Sequence, residues 1–319
     1  MVPIMLWKLS ATGTSGSKLD TMRILLTNDD GVHAPGISVL AKAMSDAGHE
    51  VVIVAPFEDS SGAGAGVGIV YQREKIHYEP VELEGLEDIA TYGIDALPAL
   101  AVILARLGGF GEIPEVVVAG INLGLNTGGA VLHSGTVGAI LTAGHLGLKG
   151  LAVSIEAKMS DFELLAREED KDGLASPKRA IDPKSKEKVP FETAASIAVD
   201  VLARMKDAPE GTMLNLNVPR RPLQAIRGVR YGHLGMGGLI RGAVASMEGG
   251  LRLDVGLPRT PDPSTDIGLV TSGYASITSL GGIEEDLDPE KRTLLDVVIQ
   301  ECEENLAARD RGSAAVNEP

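Results

Sequence analysis

The chain of 319 residues has one cysteine, Cys302, so a disulfide framework or a thiolate metal cage cannot be built within one copy. A reducing cytoplasm is the compartment that suits it. Cations are also scarce. Against 44 Asp and Glu there are 29 Lys and Arg, and the formal net charge of -15 excludes the basic face that grips duplex nucleic acid by its phosphates. A small anion can still bind locally. The apolar piece from Val2 to Trp7 has no basic region before it and is too short for a bilayer, so no membrane partner is expected. There is no internal repeat. What the chain does have is 44% hydrophobic content, enough for the core of one large domain with attachments.

One stretch organises the rest, Met22 to Gly36, where the apolar run Arg23–Leu26 meets Asn28-Asp29-Asp30-Gly31. Such a run fills the centre of a parallel sheet, which places the two carboxylates at a strand's carboxyl end, where open α/β sheets bind ligands. Successive strand residues point to opposite faces, so Asp29 and Asp30 converge on one ion only if the chain leaves strand geometry there. Gly31 makes that turn easy. On its own the tetrapeptide reads first as a polar turn. It also fails the G-x-G-x-x-G dinucleotide pattern, and two carboxylates would repel a pyrophosphate unless a cation intervened.

Downstream, a helix from Gly36 to Ala47 and a strand from Glu50 to Pro56 complete a βαβ unit. The Ser- and Gly-rich loop 57–66 leaves on the same side of the sheet as Asp29 and Asp30. Residues 69–96 suggest a short antiparallel excursion, and Leu97–Leu107 a buried helix with Pro98 in its first turn. Glu115–Ala119 is the third strand. It leads through Gly120-Ile121-Asn122 and Asn126 to His133-Ser134-Gly135-Thr136, the start of a small-residue helix whose free N–H groups suit phosphate. Ser134 or Thr136 could equally be an ordinary N-cap. Further strands are expected at 150–155, 213–218 and 273–278, and helices at 191–205 and 292–305.

The expected organisation is a flexible extension over 1–21, a domain over 22–302 and a flexible tail over 303–319. Within the domain, the charged segment of about 157–189 reads as an insertion, either a passive loop or a cover over the active side. The glycine-rich stretch of about 222–262 reads as an arm for pairing with another subunit.

Taken in order, Asn28-Asp29-Asp30-Gly31, Ala55-Pro56 with Ser61-Gly62, Gly120-Ile121-Asn122, Ser134-Gly135-Thr136-Val137, Leu214 to Pro219 and Gly273 to Thr278 resemble the SurE family of metal-dependent phosphatases. The resemblance implies a Rossmann-like three-layer α/β fold, with a mostly parallel sheet and helices on both faces. It also implies a magnesium or manganese ion, hydrolysis of small phosphomonoesters such as nucleoside monophosphates, and homodimers or homotetramers. Carried over by motif, Asp29, Asp30, Ser61 and Asn122 would hold the metal, and Asn126, Ser134, Gly135 and Thr136 the phosphate. These are hard oxygen ligands, which fit such an ion. One of Asp29 and Asp30 would orient or deprotonate the attacking water. Among the histidines His33, His133 and His145, His133 is the best placed for a general acid, although loop or packing roles suit all three.

The surroundings depart from the family pattern. Gly93 to Ala99 lacks the usual Gly-Thr-Pro and Asp-Cys, Glu58-Asp59-Ser60 replaces basic or amide residues, and Ala130 stands where an acid is frequent. Two added acids near the mouth disfavour polyanionic substrates. Two alternatives therefore stand beside the nucleotidase reading: a phosphatase for a non-nucleotide phosphorylated metabolite, and a homologue that binds a phosphorylated ligand with little turnover.

Overall fold

Strand β1, Arg23–Thr27, is buried on both faces: Ile24 and Leu26 belong to one apolar cluster and Leu25 to another. It therefore lies inside a sheet covered on both sides. The computed structural model describes residues 21–68, 70, 74–158, 162–164, 179–181, 189–235, 242–247, 250–255, 261–283, 293, 296–300 and 302. Nine strands form the main sheet. Their order is β10 (Val229–Tyr231), β13 (Ala275–Leu280), β9 (Met213–Val218), β6 (Lys149–Ile155), β5 (Val116–Leu123), β1, β2 (Glu50–Pro56), β4 (Thr91–Ile94) and β3 (Tyr78–Pro80). From β9 through β4 the strands run parallel, while β13 pairs antiparallel with β9 and β3 antiparallel with β4.

Helix α1 (Pro35–Asp46) packs against α4 (Phe191–Met205) on one face, and α2 (Pro98–Arg106) against α3 (Gly135–His145) on the other. Alternation along the strands explains the two layers. Val116 and Val118 join Ile37, Leu40 and Met44 of α1, whereas Val117 and Ala119 join Val102 of α2 and Ile140 of α3. Pro35 and Pro98 open their helices at positions where a missing N–H leaves no helical bond unmade. The three-layer, mostly parallel α/β arrangement expected from sequence is the one observed.

Several expected boundaries move. The third strand runs on to Leu123, through a register shift between Ala119 and Asn122 and a cis Gly120–Ile121 peptide. Within the stretch assigned to an arm, β10 is instead an edge strand of the main sheet, paired with β13. The rest of that stretch contains the hairpin β11 (Gly242–Met247) and β12 (Gly250–Val255), a two-stranded sheet of its own. A short helix, α5 (Asp266–Thr271), follows. In the charged insertion, β7 (Phe162–Leu164) and β8 (Arg179–Ile181) pair antiparallel, and the remainder of 159–188 lies outside the described residues, as do 1–20 and 303–319. The chain divides into two compact units, Met1–Leu280 and Gly281–Pro319, and in the second residues 296–300 are helical.

Candidate active site

From β1 the chain moves to β2 on one side, and after β4 it crosses to β5 on the other, so the carboxyl ends of β1 and β5 flank a topological switch point. Asp29, Asp30 and Asn122 lie there. The turn after β1 is fixed from within: Asn28 Nδ2 donates to Gly31 O at 2.9 Å, and Gly31 has φ +101°, which a side chain would strain. Val32 N–H then donates to Pro56 O at 2.8 Å, fastening the turn to the end of β2.

Asp29 is 2% exposed. Its Oδ2 accepts from Gly135 N–H at 3.0 Å and its Oδ1 from Thr136 Oγ1 at 2.5 Å. The start of α3 therefore grips this carboxylate with its first N–H, its hydroxyl and the positive end of its dipole. Only glycine allows the approach, because a Cβ on residue 135 would lie 2.7 Å from Asp29 Cβ. Burial pushes the Asp29 carboxyl above its ordinary pKa, against the lowering influence of Thr136 and the backbone donors. Asp30 is raised further. Burial comes first, then repulsion from Asp29 and Asp59, and a bond from the Leu123 backbone opposes them.

Loop 57–66 closes over this turn as its sequence position suggested. Ser60 N–H donates to Asp29 O at 2.7 Å, Ser61 N–H to Asp59 Oδ1 at 2.8 Å, and Gly64 N–H to His133 O at 3.1 Å. Ser61 itself is exposed. Asn122 Nδ2 donates to Gly124 O at 2.6 Å, which sets the plane of its amide and turns Oδ1 away from that carbonyl.

Three observations bear on a cation. No Lys or Arg pairs with Asp29, Asp30 or Asp59 among the described residues. Asn28 Oδ1 is buried there without a hydrogen-bond partner among the described residues. No three His, Cys, Asp or Glu side chains form a metal-holding group among them either, so a cation here would rely on two carboxylates and neutral oxygens. That set of hard donors fits magnesium or manganese, and repulsion between the carboxylates is what such an ion relieves.

The expected phosphate side is more committed to structure than its sequence suggested. Thr136 is fully buried, with its hydroxyl on Asp29. Ser134 is the N-cap of α3, accepting from Val137 N–H at 3.0 Å. Asn126 is buried, and its Nδ2 donates to Ser154 Oγ at 3.0 Å. His133 presents its backbone to the loop, its ring lying on an exposed residue, and His145 is at the far end of α3, about 15 Å of helix away.

Sequence reasoning missed what holds Asn126 in place. Asn217 accepts from Asn126 N–H at 2.9 Å and donates to Asn126 O at 3.0 Å, while Asn215 donates to the same oxygen at 2.8 Å. The signal was present: two amides two residues apart in an otherwise apolar strand share one buried face. Asp266, whose carboxylate accepts from Gly128 N–H at 2.7 Å, carried no comparable signal.

Comparison with known proteins relates the chain to one family. A family model described as Survival protein SurE matches residues 24–239. A protein of Stenotrophomonas maltophilia named 5'-nucleotidase SurE is 35% identical over 266 residues, covering 81% of this chain and 89% of the relative. One of the same name from Xylella fastidiosa is 37% identical over 216 residues, covering 67% and 70%. Among solved structures, the SurE protein from Aquifex aeolicus aligns with a TM-score of 0.63 at 27% identity, over 84% of this chain and 96% of that one.

Proposed function

The chain belongs to the SurE family, and on that premise we propose that it is a divalent-metal-dependent phosphomonoesterase acting on a nucleoside monophosphate or a related small phosphorylated metabolite. The observation that carries this reading is the Asp29–Asp30 pair. These are adjacent carboxylates at a switch point, both raised in pKa by burial, with a helix N-terminus locked onto one of them.

Magnesium or manganese would be held by Asp29, Asp30, Ser61 and Asn122. When bound, such an ion supplies Lewis-acid polarisation of a phosphoryl oxygen and a more acidic water. The chain's own residues divide the remaining work. Both oxygens of Asp29 are fixed by Gly135 and Thr136, which makes it an immobile ligand. Asp30, which has only a bond from the Leu123 backbone, is less tightly held, so it orients the attacking water and takes its proton. Ser134, whose oxygen already accepts from Val137, retains its hydroxyl hydrogen for an equatorial phosphoryl oxygen, and the α3 dipole favours the same charge. Gly135 and Thr136 serve the phosphate through Asp29 and the helix start, and Asn126 shapes the loop opposite.

The Asp59 carboxylate acts electrostatically on both Asp29 and Asp30. It favours substrates with one phosphate over di- and triphosphates. A cytoplasmic setting agrees with the exposed lone thiol of Cys302, and among the described residues no helix is long and apolar enough to cross a membrane. The β11–β12 hairpin, forming its own sheet, is the element we assign to homodimer or homotetramer contacts.

A phosphate-release screen tests the reading. Nucleoside mono- and triphosphates and sugar phosphates would be assayed with magnesium or manganese, then with chelator. Monophosphates should be hydrolysed best, and only with metal. Release that survives chelation would overturn the mechanism.

A further inference from the structure

We infer that Asp266 is a positioning residue that fixes the phosphate-side loop and joins it to the root of the hairpin arm, an inference that rests on the phosphatase reading above. Asp266 is fully buried, and none of the described lysines or arginines pairs with it. Its two oxygens serve different segments. Oδ2 accepts from Gly128 N–H at 2.7 Å, whereas Oδ1 accepts from Gly235 N–H at 3.0 Å and Ile267 N–H at 2.8 Å. Gly128 opens the single-turn helix Gly128–Leu132, two residues before Ser134, the N-cap of α3. Gly235 precedes the segment that leads to the β11–β12 hairpin, and Asp266 N–H further secures that root by donating to His233 O at 2.8 Å.

Bonds to an ionised acceptor are roughly twice as strong as neutral ones, so a dry carboxylate is an effective anchor for an otherwise irregular loop. Asn215 and Asn217 fix that loop at Asn126, and Asp266 fixes it two residues later. Displacement of Gly128 carries through the short helix to Ser134. Asp266 does not touch substrate; it acts through the backbone that presents the phosphate donors.

Asp266→Asn separates the two jobs. An amide has one acceptor oxygen, and the orientation that keeps the Gly235 and Ile267 bonds turns Nδ2 toward the Gly128 N–H, donor against donor. The loop is released while the arm root stays. In the full-length protein with magnesium, D266N should raise KM for a phosphomonoester and Ki for inorganic phosphate about tenfold, the effect of losing one charged bond, with kcat changing less. Amide exchange over residues 126–134 should quicken.

Thr265→Ala is the structural control. It removes the hydroxyl that accepts from Gly268 N–H at 3.2 Å and weakens α5 without altering the carboxylate. T265A should lower Tm yet leave KM, Ki and loop exchange near wild type. If T265A raises them as D266N does, or if D266N leaves them unchanged, the inference is overturned. Should the wild-type chain hydrolyse no phosphomonoester, the phosphatase reading falls and loop exchange still decides: faster in D266N than in T265A upholds the anchor, equal rates overturn it. Should D266N not fold, Gly128 exchange in the wild type decides. Protection like that of the central strands upholds the anchor, and exchange at loop rates overturns it.

Discussion

At the scale of single residues, Asp29 and Asp30 are adjacent carboxylates forced together by the turn after β1, and both are raised in pKa chiefly by burial. A carboxyl whose folded-state pKa exceeds its unfolded value stabilises the fold at low pH. That contribution is lost as the pH rises through the folded value. The metal-free protein should therefore lose stability from acid toward neutral pH, and Asp30→Asn should flatten that loss. At neutral pH the D30N fold should be more stable than wild type by about 1 kcal/mol, while its turnover should fall. Urea denaturation of both proteins after chelation, at pH 5 and pH 7.5, checks this. A less stable D30N with an unchanged pH slope would mean that the pair does not oppose folding. The same residues show how the sequence could be read. The adjacent acids were plain, while the donors that hold them, Gly135 N–H and Thr136 Oγ1, lie more than a hundred positions away and meet Asp29 only through the fold.

At the scale of elements, the start of α3 grips Asp29, and in the proposed mechanism it also offers charge stabilisation to a phosphate. Its close fit makes Gly135→Ala a sharp test, because the new Cβ would sit 2.7 Å from Asp29 Cβ and 2.8 Å from Oδ2. Overpacking of this kind costs about 1–3 kcal/mol. The displaced carboxylate should lower kcat about a hundredfold, as a misplaced catalytic group does. Steady-state kinetics with a thermal melt read both effects, and an active G135A would show that Asp29 need not stand where α3 puts it. Long periodic elements were legible from sequence: α4 and β9 fall on the expected 191–205 and 213–218 because apolar spacing alone defines them. Short elements defined by partners were not. Three-residue β10 exists by pairing with β13, and six-residue α5 carries only two turns' worth of pattern.

At the scale of the whole molecule, the doubly wound sheet brings three separate stretches to one edge: the turn after β1, the loop after β2 and the end of β5 with its following helix. The fold class was visible in the alternation of strands and helices. The shared edge follows from parallel pairing, and the ordered motifs supplied the family. The Asn126 clamp and the Asp266 anchor depend on β9 and α5, which return to the loop from 89 and 138 residues further along the chain. The paired amides of Asn215 and Asn217 mark a buried polar face locally, but no local pattern names the loop that this face or Asp266 holds.

The central claim is that Asp29 and Asp30 hold a divalent ion on which phosphomonoester hydrolysis depends. Its most direct test is a manganese titration of chelator-stripped wild-type, Asp29→Asn and Asp30→Asn proteins, following phosphate release from a nucleoside monophosphate. The account predicts that wild type regains saturable activity, while both variants stay at least a hundredfold lower at every metal concentration, about 2.7 kcal/mol in barrier. Equal activity of wild type and D29N without added metal would contradict it.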